Sequence, residues 1–408
     1  MWLQILFIKL LGYNELAIRL PSALASFACV ALLFRFLKNH FDVLFAWIGS
    51  LVLLTSYGFV HYHTARTGDA DALLTLFAFV ANLYFLHYYR YGKHRDIFLL
   101  FLFLTLGFLT KMYAVLLFVP AYFILFIYKI YKRKLVDFIT NRYFVLGVLF
   151  FISTVGSVLW LRESETQGYL EQVFYKDAGR LTDVVENHAE PLFFYFDNFL
   201  QIRFASWFVL ALFGSVMAFL FKKDKNVDIL QVFSFYVLSY LLVITLSVTK
   251  LEWYDMPLYP YLATLSAYPI FKLLKEVKET KFQYITLIVI FFFPYRAMFY
   301  KSQSNDMNAG ELDLEANEYF LHKEIKAKKD LNGIKVLTQK WKGSLLFYQY
   351  KLKEIGQNMD VIDDVSAVRV NDKILVSDKT LLAELKSRYN VTLIDTKRNA
   401  ELFLVEEK

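Results

Sequence analysis

Along this chain apolar residues do not alternate with polar ones. They come in long blocks, such as "SALASFACVALLFRFL" (22–37) and "FVLGVLFFISTVGSVLWL" (144–161), divided by short charged clusters. Apolar blocks of about 18 residues or more read as transmembrane helices. Ten such spans are expected, at 20–37, 42–60, 71–89, 96–110, 112–131, 143–161, 204–221, 229–249, 254–273 and 282–300. A further apolar run at 2–11 is too short to span and is expected to lie at the membrane interface. After residue 300 the pattern changes to shorter periods: helix 311–329, strand 334–338 ("IKVLT"), strand 373–377 ("KILVS"), helix 379–389 and strand 391–395 ("VTLID"). That order predicts a small α/β domain at 301–408, following a membrane domain over 1–300.

Composition agrees with the pattern. Hydrophobic residues make up 57% of the 408 positions and aromatic residues 19%, with 42 Phe and 28 Tyr. The fold class is therefore an all-α polytopic membrane domain with a small C-terminal α/β domain. The single cysteine, Cys29, excludes an intrachain disulfide and most cysteine-based metal sites.

The formal charge of +7 does not indicate nucleic acid, because basic residues collect in the inner loops of such proteins. One set of loops holds Arg35 and Lys38; Arg90, Lys93 and Arg95; Lys129, Lys132, Arg133, Lys134 and Arg142; Lys222, Lys223 and Lys225; and Lys272, Lys275, Lys278 and Lys281. The short loops between them offer only Arg66, Lys111 and Lys250. By the positive-inside rule the first set is cytoplasmic, which places the acidic 162–203 loop and the tail after residue 300 outside.

Against that background "HYHTARTGDADALLTLF" (61–77) carries Arg66, Asp69 and Asp71 at the mouth of a span. Two acidic residues there suit helix capping and the helix dipole. They also suit a general base for an incoming hydroxyl, or a metal site, and Arg66 beside them suits a phosphate. Lys111 lies in a very short turn between two apolar segments, and Lys250 and Tyr254 lie in "VTKLEWYDMPLYPYLA". Singly, each lysine reads as a snorkelling side chain. Together, Arg66, Lys111 and Lys250 place three cations on a face that otherwise avoids them, suited to a phosphate at the membrane boundary with Tyr254 as a further hydrogen-bond donor. His188, between Glu186 and Glu190, is a solvated loop histidine or a ligand for zinc or manganese. His61 and His63 read as interfacial residues.

"NELAIRLPSALAS" (14–26), "ARTGDADALLTLF" (65–77), "FLTKMYAVLLFVP" (108–120), "GRLTDVVENHAEPLFFYF" (179–196) and "TKLEWYDMPLYPYLA" (249–263) occur in a telling order. The chain thereby resembles the polyprenyl-phosphate-sugar glycosyltransferases of the GT-C class, a group that includes the lipid A aminoarabinose transferases and the protein O-mannosyltransferases. The resemblance covers roughly residues 2 to 300. It implies a multi-pass enzyme of the bacterial inner membrane that takes a sugar from a polyprenyl-phosphate carrier and passes it to a lipid, glycan or protein acceptor on the outer face. On that pattern Asp69 and Asp71 fall in the family's second acidic motif, and Lys250 and Tyr254 fall where the family handles the donor phosphate. Taken with the charge reading above, the expected catalytic residues are Asp69 and Asp71, and the expected donor-phosphate site is Arg66, Lys111, Lys250 and Tyr254. His188 falls on a loop histidine that some members use for a divalent metal (zinc, manganese or magnesium). In the family a first helix and an acidic loop precede the "RLPSAL" region, whereas here Met1 arrives where that loop should finish. The expectation is a chain without the family's principal carboxylate, slow or inactive in transfer. A lipid-linked glycan transporter and a catalytically inactive subunit are the competing readings. Transporters, however, place ionisable groups near the midplane on broken helices, not at helix mouths.

Overall fold

A computed structural model describes residues 2–61, 63–128, 132–175, 179–184, 188–303, 309–340 and 342–408. The chain forms two units, Met1–Ser302 and Gln303–Lys408. The first is helical: α1 (Trp2–Leu11), α2 (Glu15–His40), α3 (Val43–Leu54), α4 (Asp71–Tyr91), α5 (Arg95–Lys111), α6 (Val119–Tyr128), α7 (Arg142–Glu165), α8 (Phe208–Leu220), α9 (Val227–Leu246), α10 (Tyr259–Lys275) and α11 (Thr280–Gln303). Side-chain caps start several of them. Asn14 accepts from the Ala17 amide at 2.9 Å, and Asp42 from the Phe45 amide at 2.8 Å. Gly92, at φ +67°, ends α4 and lets α5 begin within a few residues, so the two helices pack as a hairpin.

Among the described residues, six helical stretches are long and apolar enough to cross a membrane, or seven if the bent pair Phe194–Arg203 and Phe208–Leu220 counts as one span. The expected ten is higher because local breaks shorten two of the apolar blocks and a third runs on from its neighbour. The 42–60 block is α3 followed by a break at Thr55 and Ser56, where the Thr55 hydroxyl folds back on the Leu51 carbonyl at 2.7 Å. The 254–273 block opens as a 3₁₀ turn, Glu252–Leu258, and continues as a helix buried almost throughout, as befits one that is apolar on every face. The 112–131 block joins α5 in one helical stretch, Arg95–Tyr128. That stretch reverses at Met112, whose φ is +44°. Partners along α4 show the reversal: Asp71 meets Lys111, Asn82 meets Tyr122, and Tyr89 meets Leu125.

A polar node lies within the aromatic core. Asn82 donates to the Tyr261 hydroxyl at 2.6 Å, accepts from the Tyr122 hydroxyl at 2.6 Å, and through its carbonyl accepts from Tyr236 at 3.0 Å. Buried polar groups need such partners, and here they fix the register of four segments.

The second unit is a five-stranded mixed sheet of order β2-β1-β3-β5-β4, with β1 (Ile334–Leu337), β2 (Met359–Ile362), β3 (Lys373–Val376), β4 (Asn390–Lys397) and β5 (Ala400–Glu406). β1 pairs in parallel with β2 and β3, while β5 pairs antiparallel with β3 and β4. Helices α12 (Ala309–Lys326), α13 (Gly343–Glu354) and α14 (Lys379–Arg388) accompany it. The α/β reading of this region holds. The sequence pattern had not indicated α13, β2 or β5.

Candidate active site

The Asp71 end of the helical unit gathers the singled-out side chains unevenly. Asp71 is the first residue of α4 and is buried, yet its carboxylate does not cap the helix. The N-cap position is Ala70, which makes no side-chain cap. Instead Lys111, delivered by the reversal after α5, donates to both Asp71 oxygens at 2.6 and 2.8 Å. The Lys111 ammonium also stands 4.9 Å from the centre of the Tyr254 ring, within range of a cation–π contact.

Arg180 joins them. Its main-chain oxygen accepts from the Thr249 amide at 3.1 Å, and the Lys250 amide donates to the His188 oxygen at 3.1 Å. These bonds, with a bridge between Ala189 and Thr249, lay the 179–190 loop along the 247–250 segment. The Arg180 guanidinium then donates to the Tyr254 hydroxyl. Asp71, Lys111, Arg180 and Tyr254 line one cavity of about 120 Å³, with Leu117 and Tyr240 among its apolar walls. That is room for a few waters or one small polar group.

The remaining predicted residues take other places. Lys250 is buried and donates to the main-chain oxygens of Ser247 at 2.7 Å and Glu190 at 3.1 Å. Burial pulls its ammonium below the ordinary lysine range. It lines a second, open cavity with Glu190, Pro191 and Thr245, and Ser247 belongs to the walls of both cavities. Asp69 accepts from the Thr67 hydroxyl at 2.5 Å and pairs with His63 Nδ1 at 3.0 Å. Burial pushes the Asp69 carboxyl up, but these two hydrogen bonds outweigh it and leave it below the usual carboxylate range. His63 in turn stacks on Trp253, ring centres 3.8 Å apart, so it is tied into the site's border rather than merely interfacial. Arg66 is exposed and does not line the cavity.

His188 is half-buried, and its main-chain oxygen is engaged by Lys250. Glu186 lies outside the described residues. Among the described residues no three of His, Cys, Asp and Glu come together in a way that would hold a metal ion, and no step below runs through one.

Sequence reasoning missed Arg180 as a site residue, although it stands in one of the quoted motifs, because eleven other charges share its loop and nothing local marks it. It also missed the buried pair of Arg203 and Asp255, whose Nε and Nη2 bonds measure 2.8 and 2.7 Å. Each is a charge in largely apolar and aromatic company, in "QIRFASW" and "WYDMPLY", which marks the residue but not its partner.

Residues 1–160 match the family described as dolichyl-phosphate-mannose-protein mannosyltransferase. Among curated proteins none matches the chain in sequence. Among solved structures the chain is similar to ArnT from Cupriavidus metallidurans, bound to undecaprenyl phosphate and in the apo state. The TM-score is 0.68 in each case, at 12% and 13% identity, over 98% of this chain and 86% of that one. At such identity the structural likeness is one of fold. With the family match it bears out the resemblance to GT-C glycosyltransferases drawn from the ordered motifs.

Proposed function

We propose that the chain is a membrane glycosyltransferase that moves a sugar from a polyprenyl-phosphate donor to a hydroxyl-bearing lipid, glycan or protein acceptor on the outer face of the bacterial inner membrane. The observation that carries this reading is the cavity in which Lys111, Arg180 and Tyr254 converge beside the Asp71 carboxylate. The match to a family that takes sugars from a lipid phosphate supports it, as does a fold shared with a protein crystallised with undecaprenyl phosphate.

In the proposed reaction the bond between the sugar's anomeric carbon and the carrier phosphate breaks, and the acceptor oxygen forms the new bond. The acceptor proton goes to a carboxylate, and the polyprenyl phosphate leaves as an anion. A departing anion calls for fixed cations and donors where its charge develops. Arg180 supplies a fork suited to a phosphate's oxygens, Lys111 a second cation shared with Asp71, and Tyr254 a hydroxyl. Asp71 is the proposed proton acceptor, since it lines the cavity. Asp69 holds the loop before it through His63 and Thr67. Lys250 props the shared wall at Ser247. Arg66, exposed at the same loop, is assigned to the approach of the anionic headgroup.

The outer-face assignment rests on the distribution of charge: the Lys- and Arg-rich loops lie at the ends opposite Lys111 and Lys250 along the helices. The test is to supply the purified protein in lipid with a radiolabelled polyprenyl-phosphate sugar and a membrane extract as acceptor. Release of free polyprenyl phosphate with label appearing in the acceptor supports the proposal. Movement of intact donor between leaflets without cleavage would instead make the protein a transporter.

A further inference from the structure

The cavity is built from segments far apart in sequence, and something must hold them at a set distance. Arg203 and Asp255 are each 3% exposed or less as residues and form a two-bond pair. Around it three segments meet. Arg203 ends the π-turn Phe199–Arg203 and extends Nη2 to the Gly58 carbonyl at 3.3 Å. Asp255 belongs to the turn Glu252–Leu258 and also accepts from the Tyr259 hydroxyl at 3.0 Å. Gly58 belongs to the short helix Tyr57–Val60, and a methyl group there would fall 1.8 Å from the Tyr259 hydroxyl oxygen and 3.1 Å from Arg203 Cβ. The seam continues outward where His63 stacks on Trp253. One side of the seam leads into the loop of Asp69 and Asp71. The other carries Tyr254, next in sequence to both Trp253 and Asp255.

From this arrangement we infer that Arg203 and Asp255 form a positioning node: they fix the Tyr254 segment against the segment leading to Asp69 and Asp71, and so set the width of the cavity. For what the cavity takes, the inference rests on the function proposed above; for the coupling of the two segments it does not. A buried ion pair is a poor device for stability alone, because an apolar pair of similar volume often serves as well or better. What the planar guanidinium adds is direction: a fork whose donors address Asp255 and the Gly58 carbonyl at fixed angles. Arg203 touches none of the cavity-lining residues' reacting groups and acts through Tyr254 and the 57–71 segment.

The experiment uses the full chain in lipid nanodiscs, as wild type, as Arg203→Lys, and as the double variant Arg203→Met with Asp255→Leu, which keeps the volume and removes both charges. Two quantities are read: amide hydrogen exchange over 57–66 and 249–256, and binding of undecaprenyl phosphate. In both variants exchange is expected to rise in the two segments together, with the sheet of the second unit unchanged as an internal reference. The dissociation constant is expected to rise about tenfold or more, the scale of a lost charge-assisted hydrogen bond. If Arg203→Lys does not fold, the apolar double variant carries the test. Faster exchange confined to the vicinity of residue 203, or unchanged exchange, overturns the node. Coupled exchange with wild-type binding also overturns it, since the cavity would then be set elsewhere. Wild-type protein that fails to bind undecaprenyl phosphate counts against the proposed function, while the exchange result still decides the coupling.

Discussion

Lys111 and Asp71, separated by 40 positions in sequence, meet with the ammonium 2.6 and 2.8 Å from the two carboxylate oxygens. The contact exists because α5 ends where α4 begins and the chain reverses at Met112. It changes how both residues read. A lysine that would otherwise snorkel is an ion-pair partner, and a carboxylate that would otherwise cap a helix is held in a cavity wall.

Breaking that pair has separable effects. Asp71→Asn keeps the shape and leaves Lys111 without its counter-charge, and Lys111→Met leaves Asp71 buried and alone. Removing one member of a buried pair costs about 3–5 kcal/mol, and less here because the Lys111 side chain is 28% exposed. Both variants are expected to lower the unfolding midpoint in detergent. The double variant should recover part of that stability but none of the sugar transfer. Full transfer by the stably folded double variant would reduce the pair to a structural contact.

Arg180 is expected to matter more for the donor than Lys250. Arg180→Ala removes a guanidinium from the cavity, whereas the Lys250 amine is engaged with two main-chain oxygens. Charge-assisted hydrogen bonds are worth about 1.5–3 kcal/mol, so Arg180→Ala should reduce kcat/KM for the donor by roughly tenfold to a hundredfold. Arg180→Lys should recover little of it, because the fork is lost. Equal losses in the Arg180 and Lys250 alanine variants, measured on initial rates against donor concentration, would return Lys250 to the phosphate.

The architecture was legible from long apolar blocks, because a bilayer demands them and little else produces them. What could not be read were the breaks inside those blocks. Thr55 and Ser56, Met112 and the Glu252–Leu258 turn are ordinary residues in apolar company, and tertiary contacts decide where each helix stops. In the second unit β2 is only "MDVI", too short for a period to show. At the site, motif order directed attention to Asp71, Lys111 and Tyr254, which the fold does bring to one cavity. Arg180 and the pairing of Arg203 with Asp255 depend on loops crossing in space, which no local pattern encodes.

Lys250 gives a pH dependence with a definite sign. Its folded-state pKa lies below the ordinary 10.5 because burial disfavours the charged amine. The folded protein therefore carries a cost while Lys250 is protonated. That cost disappears as pH rises from the folded value toward 10.5, where the unfolded chain also releases the proton. Unfolding of the wild type and of Lys250→Met should converge or cross over that alkaline window, with the wild type gaining relative to the variant. A constant difference across the window would show that the amine is not desolvated.

Topology is open to direct chemistry. On the proposed outer-face reading the second unit is expected outside, and Ser387 is exposed on α14. With the buried Cys29 replaced by Ala, Ser387→Cys should react in intact cells with a membrane-impermeant maleimide. Labelling only after lysis would put this unit in the cytoplasm and reverse the assignment of every loop.

Helix packing near the site makes the last prediction. Gly214 on α8 sits against the backbone of α10: a methyl group there would fall 2.0 Å from the Leu265 carbonyl oxygen and 3.1 Å from Pro269 Cδ. A main-chain oxygen inside a helix cannot rotate aside, so α8 and α10 would have to separate. Small residues permit such close approach between membrane helices. Overpacking of this kind costs about 1–3 kcal/mol. Gly156 on α7 supplies the control, since nothing lies within 4 Å of the corresponding methyl position. In a helix interior, alanine there should raise stability by up to about 1 kcal/mol. Gly214→Ala should thus unfold at lower denaturant and Gly156→Ala at equal or higher denaturant. Because α10 follows directly from the turn that carries Tyr254 and Asp255, Gly214→Ala should also slow donor turnover; equal behaviour of the two variants would mean that α8 and α10 are not packed as closely as described.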